Sequence, residues 1–450
     1  MPDSVDLEKF RRGAAAGHPA AQFNLGLWHL RQAPRGTISV EGQELILAAA
    51  KQNFVPAQVL LGTMLFKLGS AEQQLLQARH WFERAAREGD AEAQYRLGEL
   101  LAIGLTGEPD AVLAFEWLAR AAEQGHALAQ SQLAYCLEHG IGRSPDAQAA
   151  TKLYFRAARE GNARAQNVIG GRYANGRTLP RDVRKALAWH LRADAQAYPG
   201  AAAEVAKLSA MLDEPGLLAA RALAQNDIPE DAPVPAEPVP APSTELLTEQ
   251  PHIRMCSRFM TPEECDHLIA IATPFLKPSK VLTKSGEQAS VEERTSEETA
   301  LHDQIRDLVV WNIEQRLARL AGLAVERGEP LMILHYGRGD EYRPHVDYFD
   351  PRRASSAPKL ARAGQRVVTV LTYLCDVEQG GATYFPEIDL RVTAAKGKAL
   401  LFHNCKADGS IEPATLHAGE PVLAGEKWLA TRWIRESDWR VARASSEMPS

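Results

Sequence analysis

The dipeptide Ala-Gln recurs at Ala21, Ala57, Ala93, Ala129 and Ala165, and Ala201 keeps the same 36-residue register. Nothing else in the chain narrows its fold so much, because a unit of that length holds two short helices and cannot bury its apolar faces alone. Four residues after each alanine stands a large aliphatic: Leu25, Leu61, Leu97, Leu133 and Ile169. The next position is small: Gly26, Gly62, Gly98, Ala134 and Gly170. Four residues before the alanine come Gly17, Gly89, Gly125 and Gly161, with Asn53 substituting once. Trp81, Trp117 and Trp189 stand twelve residues before it.

Each unit reads as a helix pair. Residues 147–160 contain neither Gly nor Pro and repeat apolar residues at helical spacing, and Gly161 supplies the left-handed residue that ends such a helix. A second helix over 163–174 carries the small residues, which let neighbouring helices approach closely. Five or six units would stack into a solenoid, a plain Ala-rich bundle being the competing reading. The period and the A-x-A-Q-x-x-L-G pattern resemble Sel1-like repeats, relatives of the tetratricopeptide repeats, over about residues 5–225. That resemblance implies protein or peptide binding on a concave face.

Residues 228–243 break the pattern with six prolines (229, 233, 235, 238, 240 and 242) and no periodicity, which predicts a semi-rigid extended spacer. We therefore expect an all-α repeat domain over 1–225, an acidic Pro-rich linker over 226–250 and a second domain over 251–450. Lys and Arg number 25 against 23 acids in the first 225 residues, and 26 against 34 in the rest. Neither half has the concentrated positive charge that a phosphate backbone requires, so nucleic acid is not an expected partner. No stretch has the apolar length of a membrane span, and the polar start lacks a secretory pattern. Five cysteines with no C-x-x-C pair fit a reducing, cytoplasmic setting. Nothing in the sequence sets the oligomeric state.

After 251 the pattern changes again. Thr261 N-caps a helix over 262–275, a second helix is predicted over 299–322, and short β-type runs follow at 331–336, 367–374, 399–403 and 429–434. Helices leading into many short strands suggest a jelly roll with a helical buttress. His345-Val-Asp347 places two ligating side chains on one face of a strand, and His417 lies 70 residues beyond Asp347. Two imidazoles and a carboxylate are the ligand set of non-haem Fe(II) oxygenases, while the H-E-x-x-H of many zinc enzymes is absent. Lys427, ten residues after His417, would place a buried cation across the pocket.

These residues sit in longer matching segments: 334–349, 365–374, Gly380-Gly-Ala-Thr383-Tyr-Phe-Pro386, 417–434 and, earlier, Arg294-Thr-Ser296. Together they resemble the prolyl 4-hydroxylase branch of the Fe(II)/2-oxoglutarate dioxygenases over 251–437, which implies a double-stranded β-helix fold. The resemblance implies that His345, Asp347 and His417 hold Fe2+. It implies that Lys427 pairs with the distal carboxylate of 2-oxoglutarate, with Tyr336, Thr383 and Tyr373 on the cosubstrate side. Tyr342, Arg366, Arg294, Ser296, Glu329 and Trp433 would shape the substrate pocket, although Tyr342 and Trp433 also suit core aromatics and Arg366 a structural ion pair. One departure is His335, where the family commonly has Arg. The implied activity is O2-dependent hydroxylation of a peptidyl residue, proline first, with succinate and CO2 as co-products and L-ascorbate as reductant. The repeats would then recruit the protein substrate. A catalytically idle or iron- and oxygen-sensing scaffold, and a hydroxylase of a small molecule, are the alternatives.

Overall fold

The computed structural model describes residues 4–34, 37, 39–68, 72–234, 242–279, 281–282, 288–289, 295–302 and 305–439. Residues 235–241 of the Pro-rich segment and Arg294 therefore lie outside the described residues. The chain forms two compact units, Met1–Ala193 with Leu208–Ala236, and Asp194–Lys207 with Glu237–Ser450.

The first unit is all helix, and it explains each repeated letter. The helices expected over 147–160 and 163–174 run Ala147–Arg159 and Ala163–Asn175. The small position of one helix faces a bulky side chain twenty residues on. A Cβ on Gly26, Gly62, Gly98 or Gly170 would come within 2.9 Å of Ile46, 2.8 Å of Phe82, 2.8 Å of Leu118 or 2.7 Å of His190. Real Cβ contacts are longer, so glycine is what allows these helices to touch. The repeated glutamine satisfies the end of the preceding helix. Gln58, Gln94, Gln130 and Gln166 donate from Nε2 to the carbonyls of Ala50, Ala86, Ala122 and Ala158 at 3.2, 3.2, 3.2 and 3.1 Å. Those carbonyls belong to the last turn, where helices lack internal partners. Gly161 has φ +87° and Asn53 φ +62°, so the asparagine fills the same left-handed corner as the glycines. The start of the Pro-rich segment packs on this unit: Ile228 is fully buried, Lys185 pairs with Asp231 at 2.5 Å, and Val234 donates to the carbonyl of Thr178.

The second unit is built on strands. In chain order they are β1 (Ser243–Thr248), β2 (Ile253–Ser257), β3 (Lys277–Pro278), β4 (Val281–Leu282), β5 (Gln288–Ala289) and β6 (Glu297–Ala300). Next come β7 (Met332–Tyr336), β8 (Tyr342–His345), β9 (Arg366–Tyr373), β10 (Gln379–Gly380) and β11 (Thr383–Phe385). The last are β12 (Leu390–Val392), β13 (Ala399–His403), β14 (His417–Gly419), β15 (Val422–Ala424) and β16 (Lys427–Arg435). An eight-stranded sheet has the order β1-β2-β13-β9-β16-β7-β6-β3, and a four-stranded sheet has the order β12-β11-β14-β8. Their inner faces share one core: Leu334, Leu371, Leu400, Phe402 and Leu429 from the large sheet meet Phe385 and Val392 from the small one. This is the expected jelly-roll arrangement of two packed antiparallel sheets.

The buttressing helices are Pro262–Ala272 and Leu308–Ala321. The first has a capping box in which Thr261 and Glu264 satisfy each other's backbone N–H. The helix expected over 299–322 starts later than predicted. Residues 297–300 pair with β7 as a sheet strand, and Asp307 accepts from Val310 N at 3.0 Å to open the helix at Leu308. Glu314 on that helix is buried between Arg306 at 2.7 Å and Arg432 of β16 at 2.5 Å, which fixes helix to sheet. Among the described residues no helix is long and apolar enough to cross a membrane.

Candidate active site

His345 ends β8 and His417 opens β14, and the two residues are direct partners across this antiparallel pair. Their rings lie 4.3 Å apart. Asp347 sits just past the end of β8, 3.9 Å from Nε2 of His345 and 3.8 Å from Nε2 of His417. One ligand atom from each of the three falls within 4.8 Å of the others, close enough to hold one ion. Sheet pairing thus brings together two imidazoles 72 positions apart.

Each ligand is oriented from behind. The Nδ1 of His345 lies 3.0 Å from the carbonyl of Arg343, and that of His417 lies 3.0 Å from the carbonyl of Thr415. With Nδ1–H donating there, both Nε2 lone pairs face the centre. Thr369 donates to Asp347 Oδ2 at 2.8 Å and accepts from Asn404 Nδ2 at 2.9 Å. Burial opposes ionisation of Asp347, but the charges of His417, His345 and Arg366 and the Thr369 hydrogen bond outweigh it, so its pKa is lowered. Two imidazoles and an ionised carboxylate form a donor set that suits Fe(II).

One cavity of about 960 Å³ contains this trio and most of the residues expected around it. Lys427 and Tyr336, opposed on β16 and β7, line it together with Thr383. Lys427 is 2% exposed and has no carboxylate within ion-pair distance among the described residues. Burial pulls its pKa down to about 8. A buried ammonium with no counter-ion among the described residues fits an anionic ligand. Tyr373 stands behind rather than in the cavity wall: fully buried, it donates to Thr383 Oγ1 at 2.9 Å and so aims that side chain.

On the other flank, Arg366 makes a two-bond pair with Glu329 at 2.7 and 2.8 Å and lies 3.8 Å over the ring of Trp433. Burial favours neutral Glu329, yet Arg366 and Arg435 together keep its pKa lowered. Tyr342 stacks on His345 with ring centroids 3.5 Å apart. Ser296 is buried but turns to Ser279, Oγ to Oγ 2.9 Å, and is not among the residues lining the cavity. His335 bridges Glu297 at 3.2 Å and Glu426 at 3.0 Å, so the imidazole takes up a two-carboxylate arrangement where the family commonly has Arg. Hydrogen bonding to Glu426 raises its pKa.

Three participants escaped the sequence reading. Thr369 and Asn404 have no motif of their own, and only the register of β9 against β13 brings them behind Asp347. Arg435, which reaches Glu329 at 3.0 Å, looks in the sequence like one more charge at a strand end.

Residues 331–435 match the 2OG-Fe(II) oxygenase superfamily, and five Sel1 repeats match at 19–53, 55–90, 91–126, 127–162 and 163–195. A probable prolyl 4-hydroxylase 8 of Arabidopsis thaliana is 36% identical over 215 residues, 43% of this chain and 72% of that protein. The chain belongs to the prolyl 4-hydroxylase family. A second family member, the Arabidopsis prolyl 4-hydroxylase 5, is 36% identical over 44% of this chain and 72% of its own length. The solved viral collagen prolyl hydroxylase of Paramecium bursaria Chlorella virus-1, in its 2OG complex, is 26% identical over 41% of this chain and 95% of that one, with a TM-score of 0.33. Membership makes the second unit a 2-oxoglutarate-dependent dioxygenase, with Fe2+, 2-oxoglutarate and O2 as its cofactor and cosubstrates. The His345, Asp347 and His417 donors fit that metal, and Lys427 fits that dicarboxylate.

Proposed function

We propose that this chain hydroxylates proline within a protein substrate, releasing succinate and CO2, and that its repeats engage that substrate. The observation that carries the reading is the convergence of His345, Asp347 and His417 on the wall of a cavity that also contains a buried Lys427 with no carboxylate partner among the described residues. In this reading His345 and His417 hold Fe(II) through Nε2 and Asp347 through a carboxylate oxygen. Lys427, with Tyr336 and Thr383, receives the distal carboxylate of 2-oxoglutarate. When bound, the iron supplies O2 activation coupled to oxidative decarboxylation of the keto acid, with L-ascorbate keeping it ferrous.

The protein's own part is positioning. Thr369 fixes which face of Asp347 is free for the metal. Glu329 holds the Arg366 guanidinium over the ring of Trp433, making a rigid wall for the target ring. Tyr342, braced on His345, lines the entrance to the same space. Arg294 and Ser296 are assigned to the substrate side on the family motif alone. The five free cysteines support a cytoplasmic place of action.

Anaerobic binding of Fe(II) and 2-oxoglutarate, followed by O2-dependent succinate release, tests the chemistry. His345→Ala should abolish it, and equal succinate from both proteins would overturn the enzyme reading. Hydroxyproline in a proteome digest treated with the enzyme separates a peptidyl target from a small molecule.

A further inference from the structure

The cavity does not end at Arg366. It continues into an annex formed by residues 348–362, between Asp347 and β9, and by the far end of β16. Phe349 lies there among three cations, with Lys359 Nζ 5.2 Å from its ring and the guanidinium carbons of Arg366 and Arg435 each at 4.9 Å. Arg362 lies 4.0 Å over Trp439. Against these four cations the annex supplies one carboxylate, Glu329, which both Arg366 and Arg435 already share. Lys359 and Arg362 have no ion pair among the described residues. At the rim Asp350 is itself outnumbered, held by Arg352 at 3.0 Å and Arg353 at 3.9 Å. Of the two remaining acids of the wall, Asp347 belongs to the His345 and His417 trio, and Glu298 sits level with Leu334 on β6, on the far side of β7 from β16.

A second observation points the same way. The indole N–H groups of Trp433 and Trp439 and the Nε–H of Arg362 are buried with no acceptor among the described residues. Buried donors in folded proteins are normally satisfied, and like charges crowded around one ring repel. Among the described residues the unmet groups around Arg362, Trp433 and Trp439 are N–H donors, and Lys359 and Arg362 are unpaired cations. An oxygen-rich anion entering it would relieve both deficits at once.

We infer that the annex is a specificity subsite for the side-chain carboxylate of an Asp or Glu that flanks the target proline in an acidic peptide. This rests on the peptidyl hydroxylase reading above. The subsite adjoins the catalytic space because Arg366 belongs to both, so a residue near the target proline in an extended chain reaches Lys359 and Arg362. Carboxylate is the commitment here: the fork of Arg362, which has no ion pair among the described residues, matches a planar two-oxygen group, and a carboxylate is the anion that a peptide's own side chains supply.

The test compares two fluorescein-labelled synthetic peptides by anisotropy on the Fe(II)-loaded, 2-oxoglutarate-bound full chain without O2. The first has the sequence of residues 228–243, which places six prolines among Glu230, Asp231 and Glu237. The second replaces those three acids by Gln or Asn. The acidic peptide should bind at least about tenfold more tightly at low salt, with the ratio falling as salt rises. Lys359→Glu should bring the ratio to one or below, and Arg362→Gln should reduce it, each variant being checked for wild-type thermal unfolding. Equal affinities, no binding of either peptide, or a preference unchanged in both variants would overturn the subsite. Mass spectrometry after admitting O2 separates the two readings: hydroxyproline without an acidic preference sinks only the subsite. A preference without hydroxyproline or succinate sinks the hydroxylase reading and leaves an acidic-peptide site.

Discussion

Thr369 donates its hydroxyl hydrogen to Asp347 at 2.8 Å while receiving one from Asn404. The carboxylate is thereby held in one rotation, with its remaining lone pairs toward the imidazoles. Thr369→Val keeps the shape and removes that hold, leaving the Asn404 amide without its acceptor. Ferrous affinity should fall roughly 10–100-fold, the usual cost of losing such a support. Anaerobic Fe(II) or Mn(II) titration checks it; an unchanged dissociation constant would mean Asp347 is positioned by other contacts.

Lys427 predicts the pH dependence of cosubstrate binding. Its burial lowers the ammonium pKa to about 8 from 10.5, so the group is charged below pH 8 and increasingly neutral above. Affinity for 2-oxoglutarate should be nearly flat from pH 6.5 to 7.5 and weaken by up to roughly tenfold per unit above 8. The stability effect runs the other way. A depressed lysine costs folding free energy while the unfolded chain is the better proton binder, and that cost declines as pH rises from about 8 toward 10.5. Calorimetry of 2-oxoglutarate binding across this range is the measurement. A slope that persists in Lys427→Met would assign the effect elsewhere.

Arg366 tests the substrate wall. Lys cannot reproduce both bonds to Glu329 or the guanidinium contact over Trp433. Arg366→Lys should therefore raise the KM for peptide by about tenfold or more while leaving Fe(II) affinity near wild type. Loss of metal binding in this variant would show instead that Arg366 supports Asp347 electrostatically.

His335 carries a pH signature of its own. Hydrogen bonding to Glu426, and then to Glu297, raises its pKa above the ordinary 6.5. Its contribution to stability is fully present below about 6.5 and is lost as pH climbs through the raised value. The two pairs are partly exposed, so the contribution is about 0–1 kcal/mol. The thermal midpoint difference between wild type and His335→Gln should be largest near pH 6 and close toward pH 9. His335→Arg, which stays charged, should keep its margin at pH 9.

Gly98 stands for the repeat array. A methyl group there would meet Leu118 at 2.8 Å and the carbonyl of Ala114 at 3.3 Å. Despite the better helix propensity of alanine, Gly98→Ala should destabilise the array by about 1–3 kcal/mol through overpacking. Denaturant unfolding of the full chain followed by helical ellipticity measures this.

How much of this was legible in the residues differs between the two units. Strict periodicity made the helix pairs readable almost to the residue, since each repeat restates the same contacts. In the oxygenase unit the candidate ligands His345, Asp347 and His417 stood out because metal ligation restricts residue type, and Lys427 because of its short offset from His417. Thr369, Asn404 and Arg435 were not, because a threonine, an asparagine and an arginine acquire meaning only from strand register. The helix over 299–322 began too early for a related reason: residues 297–300 are extended through pairing with β7, a tertiary effect that local propensity does not contain. Ser296 shows the converse, a motif residue whose hydroxyl is used by a neighbouring loop.

His345 and His417 face one another across a single rung of the small sheet. Side chains alternate between faces along a strand, so a slip of one position in either partner would turn an imidazole away from the other. No halfway centre exists: a misregistered molecule forfeits the ion as a whole, which makes metal occupancy a readout of correct strand pairing in any preparation of this protein.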